Sequence, residues 1–223
     1  MTMLASIALV LLVLSNIRLL GGSRLGTLIQ TVAIQGVILA FLPLFAHPGG
    51  GLNYELLAMA AATGLIKGLV LPRMLTRAVR DVQVRREVEP IVGYSTSLLV
   101  GLAALAVSAY LGWKLSPAEP AVSPLLVPVA IFTVLVGLFL IMTRRKALTQ
   151  VVGYLVFENG IYTFGVSLAY RQPLLVELSV LLDVFVGVFV MGIIVFHIQR
   201  EFDHIDADKL SLLRDGESQE EHQ

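Results

Sequence analysis

Residues 122–143 read VSPLLVPVAIFTVLVGLFLIMT, with no charged side chain, and Arg144-Arg145-Lys146 closes them. A helix that crosses the hydrocarbon core of a bilayer needs about 20 mostly apolar residues. This stretch supplies them with apolar groups all round, whereas a barrel strand would be about half as long and would alternate in polarity. Six more segments have the same character, at roughly 3–20, 25–46, 54–72, 91–113, 147–169 and 174–198. Short polar breaks separate them, such as Gly21-Gly22-Ser23-Arg24, His47-Pro48-Gly49-Gly50-Gly51, Ser116-Pro117 and Arg171-Gln172-Pro173. The expected fold is all-α: a polytopic membrane bundle of about seven transmembrane helices over 1–199. A tail follows over 200–223, polar and acidic from Gly216 onward and too poor in apolar groups to fold alone.

Composition agrees. Hydrophobic residues make up 57% of the 223 and charged ones 14%, against about a quarter charged in an ordinary soluble domain. Lipid is therefore the solvent for most of the surface. The zero net charge excludes nucleic acid as a partner, since such proteins are normally strongly basic. The chain has no cysteine, which removes thiolate zinc sites, iron–sulfur ligation, disulfides and cysteine nucleophiles together. Met3 to Leu14 has no basic residue before it and no small-residue cleavage site after it, so it reads as a retained helix rather than a signal peptide.

The basic residues orient the bundle. Arg18 and Arg24 flank the first loop, Arg73, Arg77, Arg80, Arg85 and Arg86 fill the third, and Arg144, Arg145 and Lys146 the fifth; Arg200, Lys209 and Arg214 lie in the tail. These are thirteen of the sixteen, and the positive-inside tendency puts them in the cytoplasm, with the N-terminus outside. Arg73, Arg77 and Arg80 share one face if the third helix runs on past the membrane, as a headgroup-facing surface or a dock for a soluble partner. A duplication is also visible. Helices 1–3 and 5–7 are similar in length, each triple has a basic first loop, and the third helices open near Glu55 and Glu177. An offset of four helices makes the two triples parallel.

Charges inside the spans demand an explanation, because one at the bilayer centre costs about 2.5–3.5 kcal/mol on insertion scales. Glu158 sits mid-helix in Gly153-Tyr154-Leu155-Val156-Phe157-Glu158-Asn159-Gly160, where the glycines permit close helix approach. Asp183 lies about nine residues into the last span, and Glu177 near its outer edge. Each buried acid is either a protonatable relay or a neutral acid bonded to a neighbouring helix. Lys67, six residues before Arg73, either snorkels to the interface or pairs with a carboxylate, and Pro72 kinks its helix or frees a carbonyl nearby. Gln30 and Gln35 in the second helix can bond across helices or to water, with helix–helix glue the better reading for Gln30, and Asn159 follows Glu158 directly. The histidines, at 47, 197, 204 and 222, have no paired-ligand spacing, and no nucleotide loop or serine elbow occurs. Nothing points to a catalytic or metal site of the chain's own.

From Arg144 onward the order of features resembles the three-helix K subunit of bacterial complex I and its relatives, the C subunits of multi-subunit cation/proton antiporters. An arginine loop is followed by a helix with glycine and asparagine, a helix with a mid-membrane acid, and a His/Arg exit with Ile205-Asp206. Over the whole chain the resemblance is closer to the hydrogenase-4 component E family. It is carried by Gly153-Tyr154 with Glu158-Asn159-Gly160, Leu175-Val176-Glu177 with Asp183, and Lys67 with Leu69-Val70-Leu71-Pro72. The K-subunit glutamate of the middle helix aligns with Leu155, so Glu158 stands about one turn along on a similar face. Lys67 has a counterpart only in the longer family.

The resemblance implies a membrane-arm subunit, in the inner (plasma) membrane, of a group 4 [NiFe]-hydrogenase or a related complex. Glu158, Asp183, Lys67, Gln35 and Asn159 would help form the proton or sodium path. Implied partners are an antiporter-like large membrane subunit, a quinone-site-type membrane subunit and soluble hydrogenase-like subunits that hold any nickel–iron and iron–sulfur centres. Alternatives are a subunit of a cation/proton antiporter or other ion transporter, and a passive assembly subunit whose polar groups only fix packing.

Overall fold

The computed structural model describes residues 2–46, 54–81, 91–115, 123–168 and 192. Every long element among them is a helix: α1 (Thr2–Gly21), α2 (Leu25–Ala46), α3 (Tyr54–Leu65), α4 (Leu71–Asp81), α5 (Tyr94–Leu115), α6 (Leu126–Thr143) and α7 (Ala147–Leu168). Met3–Gly21, Leu25–Phe45, Tyr94–Leu115 and Leu126–Thr143 are each long and apolar enough to cross a membrane. α7 is as long, with its hydropathy lowered by Gln150, Glu158 and Asn159. The chain is thus an all-α polytopic membrane protein. The predicted span 174–198, with Asp183 and Glu177, lies outside the described residues apart from Gly192, as do the histidines and the tail.

The third predicted helix departs from its expected end at residue 72. α3 passes through a five-residue π turn, Ile66–Val70, directly into α4, and Leu65 and Leu71 at its borders both keep right-handed helical angles. The Leu71 amide donates to the Ile66 carbonyl, five residues back. Pro72 explains the place: lacking an N–H, it cannot bond back to the preceding turn, and the helix widens there rather than breaking. Thr63, Lys67, Leu71 and Leu75 are all buried at intervals of four. In a pure α-helix such positions drift by about 40° per step, and the wider turn absorbs part of that drift. α4 then carries the chain on, with Leu71, Leu75 and Ala78 inward and Arg73, Arg77 and Arg80 exposed on one side.

α6 packs most extensively on α7, and α2 touches α1, α3 and α7. α5 is the most peripheral, with Leu98, Leu99, Leu102, Tyr110 and Trp113 turned outward. Two apolar clusters fill the interior. One, at the arginine-rich end, joins Leu19, Leu20, Leu25, Leu28, Leu71, Leu75, Val136, Leu140, Leu148 and Val152. The other joins Leu9, Leu12, Leu39, Leu42, Leu126, Val129 and Tyr162. On α1, α2 and α7 buried polar residues fall between the two clusters, Ser15 and Asn16, Gln35, and Glu158 with Asn159, and on α6 Thr133 sits beside Phe132, where the clusters adjoin. A polar layer therefore lies between two apolar ones.

Candidate functional site

Lys67, on the π turn, donates from Nζ to Glu158 Oε1 of α7 at 2.6 Å, and the two side chains are 4% and 0% exposed. Lys67 does not snorkel toward Arg73; it is held in the layer. α2 makes this approach possible at Gly36, where a Cβ would stand 2.6 Å from the carbonyl carbon and oxygen of Lys67. No larger residue fits there without moving backbone. The Tyr162 ring, one turn past Glu158 and buried, lies with its centroid 5.6 Å from Nζ. The negative face of that ring attracts a cation placed there. On the other side of α7, Gly160 and Gly153 meet Val134 and Ile141 of α6, as their size predicts.

Beside the ion pair runs a chain of amides and hydroxyls. Asn159 Nδ2 donates to Gln35 Oε1 at 3.2 Å. Gln35 Nε2 donates to Asn16 Oδ1 and to Ser15 Oγ, both at 2.8 Å. Asn16 Nδ2 donates to Thr133 Oγ1 at 2.8 Å, and that hydroxyl gives its proton to the Val129 carbonyl. Four helices are thus tied at one depth by bonds that all run in one direction. Primary amides neither gain nor lose protons near neutral pH, so this chain positions helices. Among the described residues of this layer, the lysine and carboxylate are Lys67 and Glu158.

Of the residues expected from sequence, the structure brings Lys67, Glu158, Asn159 and Gln35 together. Asp183 is not among the described residues. Gln30 is exposed on α2. Four participants were not singled out: Ser15, Asn16, Thr133 and Tyr162. Asn16 alone carried a signal, as an amide within an apolar run. Among the described residues no three His, Asp or Glu side chains group to hold a metal, and without cysteine the chain offers no thiolate to a nickel–iron or iron–sulfur centre.

The profile of the NADH-ubiquinone/plastoquinone oxidoreductase chain 4L family matches residues 125–215, which include Glu158 but not Lys67. The chain is 35% identical over 206 residues to the uncharacterized protein Rv0085 of Mycobacterium tuberculosis H37Rv, covering 92% of this chain and 93% of that one. It is 28% identical over 161 residues to hydrogenase-4 component E of Escherichia coli K12, covering 72% and 74% of the two. The component E of Shigella flexneri gives the same figures. The chain belongs to the hydrogenase-4 component E family. Membership makes it a membrane subunit of a complex I-like assembly. No solved structure matches it. The buried ion pair therefore joins a helix within the chain 4L match, α7, to one that precedes it.

Proposed function

We propose that this component E family member is a membrane-arm subunit of an energy-converting hydrogenase or related complex and contributes Lys67 and Glu158 to its proton or sodium path. The observation that supports this reading is a fully buried ion pair at 2.6 Å between two apolar layers. A lone charge at that depth is costly, so the two charges rise and fall together. A proton passed from Lys67 to Glu158 leaves both neutral at no net change in charge. A proton or cation arriving at Glu158 instead releases the lysine toward another acceptor. Asp183, on the span after α7, is the proposed next carboxylate. Electrons would stay on metal centres of partner subunits, and the arginine-rich end would face the cytoplasm of a plasma membrane.

The test is ion translocation per electron in proteoliposomes, with assembly followed on native gels. Glu158→Gln and Asp183→Asn are expected to leave an assembled complex with partial electron transfer and a lower ion-to-electron ratio, and Lys67→Met to do the same. Normal pumping by both carboxyl-to-amide variants would make these residues packing groups, the passive-subunit reading. Purification of the chain alone as a transport-competent monomer would favour a separate transporter.

A further inference from the structure

Arg144 is the bulkiest fully buried side chain among the described residues, at 1% exposure. It follows directly on α6, at the end of an apolar span, where the loops between helices converge. The Ile91 amide donates to the Thr143 carbonyl at 2.9 Å. Arg144 Nη2 reaches the Leu20 carbonyl in the last turn of α1 at 3.4 Å, a long bond to a helix end that lacks its own donors. Gln150 Nε2 donates to the Arg144 carbonyl at 3.0 Å. The Tyr94 ring centroid is 5.9 Å from the guanidinium carbon.

Nε and Nη1 of this guanidinium are buried and find no hydrogen-bond partner among the described residues, and the same holds for Thr149 Oγ1 in the first turn of α7. Burial pushes the Arg144 guanidinium below its ordinary value, with Tyr94 acting in the opposite direction; an arginine nonetheless keeps its charge. A buried cation with N–H groups left unmet is strongly destabilising, so an anion is the missing component. Among the charged side chains with described exposure, Arg18, Arg24 and Arg145, at the end of α1, in the loop after it and beside Arg144, share its sign and are exposed. Glu158, the carboxylate with a described side chain, belongs to Lys67.

We propose that Arg144 is an anion site for the phosphate of an anionic phospholipid, seated where the loops after α1 and α6 meet the headgroups. Depth and charge fit a lipid: the site lies at the rim of an apolar span, amid exposed arginines, where basic pockets between helices take phosphorylated headgroups. Shape favours phosphate over carboxylate. The unmet N–H groups point from different edges of the guanidinium, and a flat carboxylate meets one edge, while a phosphate ester has several oxygens to distribute. Entry needs only an outward rotation of a long, flexible side chain.

The test uses the full chain with the subunits that purify with it, in nanodiscs of phosphatidylcholine with or without phosphatidylglycerol. Wild type is expected to unfold at a higher temperature with phosphatidylglycerol, and to retain it on native mass spectrometry after transfer to mild detergent. Arg144→Gln should retain about tenfold less, the loss expected for a charge-assisted hydrogen bond, while Arg145→Gln, at an exposed neighbour, should match wild type. Equal retention by wild type and Arg144→Gln would overturn the site. If Arg144→Gln does not assemble, the wild-type comparison decides alone, and no preference for phosphatidylglycerol overturns the site. Inorganic phosphate matching the phosphatidylglycerol effect in neutral discs would overturn the lipid as its source. A disulfide formed between Arg144→Cys and a cysteine placed at an acidic residue of a neighbouring subunit would overturn it in favour of a protein partner.

Discussion

Removing one member of the Lys67–Glu158 pair should cost far more than removing both. At 2.6 Å and an effective dielectric of about 20, the attraction between unit charges is about 6 kcal/mol. Desolvating two ions costs several kcal/mol each, so the intact pair contributes little net stability. Glu158→Gln keeps the shape and one acceptor oxygen but leaves a buried ammonium uncompensated, at about 3–5 kcal/mol. Lys67→Met strands the carboxylate at a similar cost. With both substitutions no charge is buried, and the loss should fall well below the sum, giving a coupling of roughly 3 kcal/mol or more. The assay is equilibrium unfolding in mixed micelles with rising SDS fraction, run on the four members of the cycle. Losses that simply add, to within about 0.5 kcal/mol, would show that the contact is not an energetic ion pair. The same double variant separates stability from transport: it should fold well and still fail to pump.

Gly36→Ala would set a methyl group 2.6 Å from the Lys67 backbone and should cost about 1–3 kcal/mol as the helices part; wild-type stability in the same assay would mean that α2 and the π turn stand farther apart. For orientation, cysteines placed at Gly50 and Ser116 should react with an impermeant reagent from outside, and one at Arg85 only from inside. Outside labelling at Arg85 would reverse the orientation inferred from the arginines.

Among the described residues span positions were legible because membrane helices announce themselves by length and apolarity: 25–46 reproduces α2, and 147 marks the start of α7. Lys67, Glu158, Asn159 and Gln35 were legible for the same reason, as polar groups in apolar runs. What opposes what was not. These helices are apolar nearly all round, so periodicity does not say which side faces inward, and the depth at which α1 meets α6 depends on packing alone. Thr133 gave no signal because a threonine satisfies its hydroxyl on its own helix, here at the Val129 carbonyl. Arg144 read as one more loop charge, since nothing in a run of basic residues says which of them turns inward. The π turn was half legible: Pro72 marked the disturbance but not its form.

α3, the π turn and α4 make one shaft of 28 residues, about 42 Å long at 1.5 Å per residue and so longer than a hydrocarbon core of about 30 Å. Lys67 stands at its midpoint, and the Arg73, Arg77 and Arg80 face lies toward one end. Whatever grips those arginines holds the handle of a lever whose axle bears the lysine. Continuous backbone joins that surface to the buried pair, and the wide turn sits where the two meet.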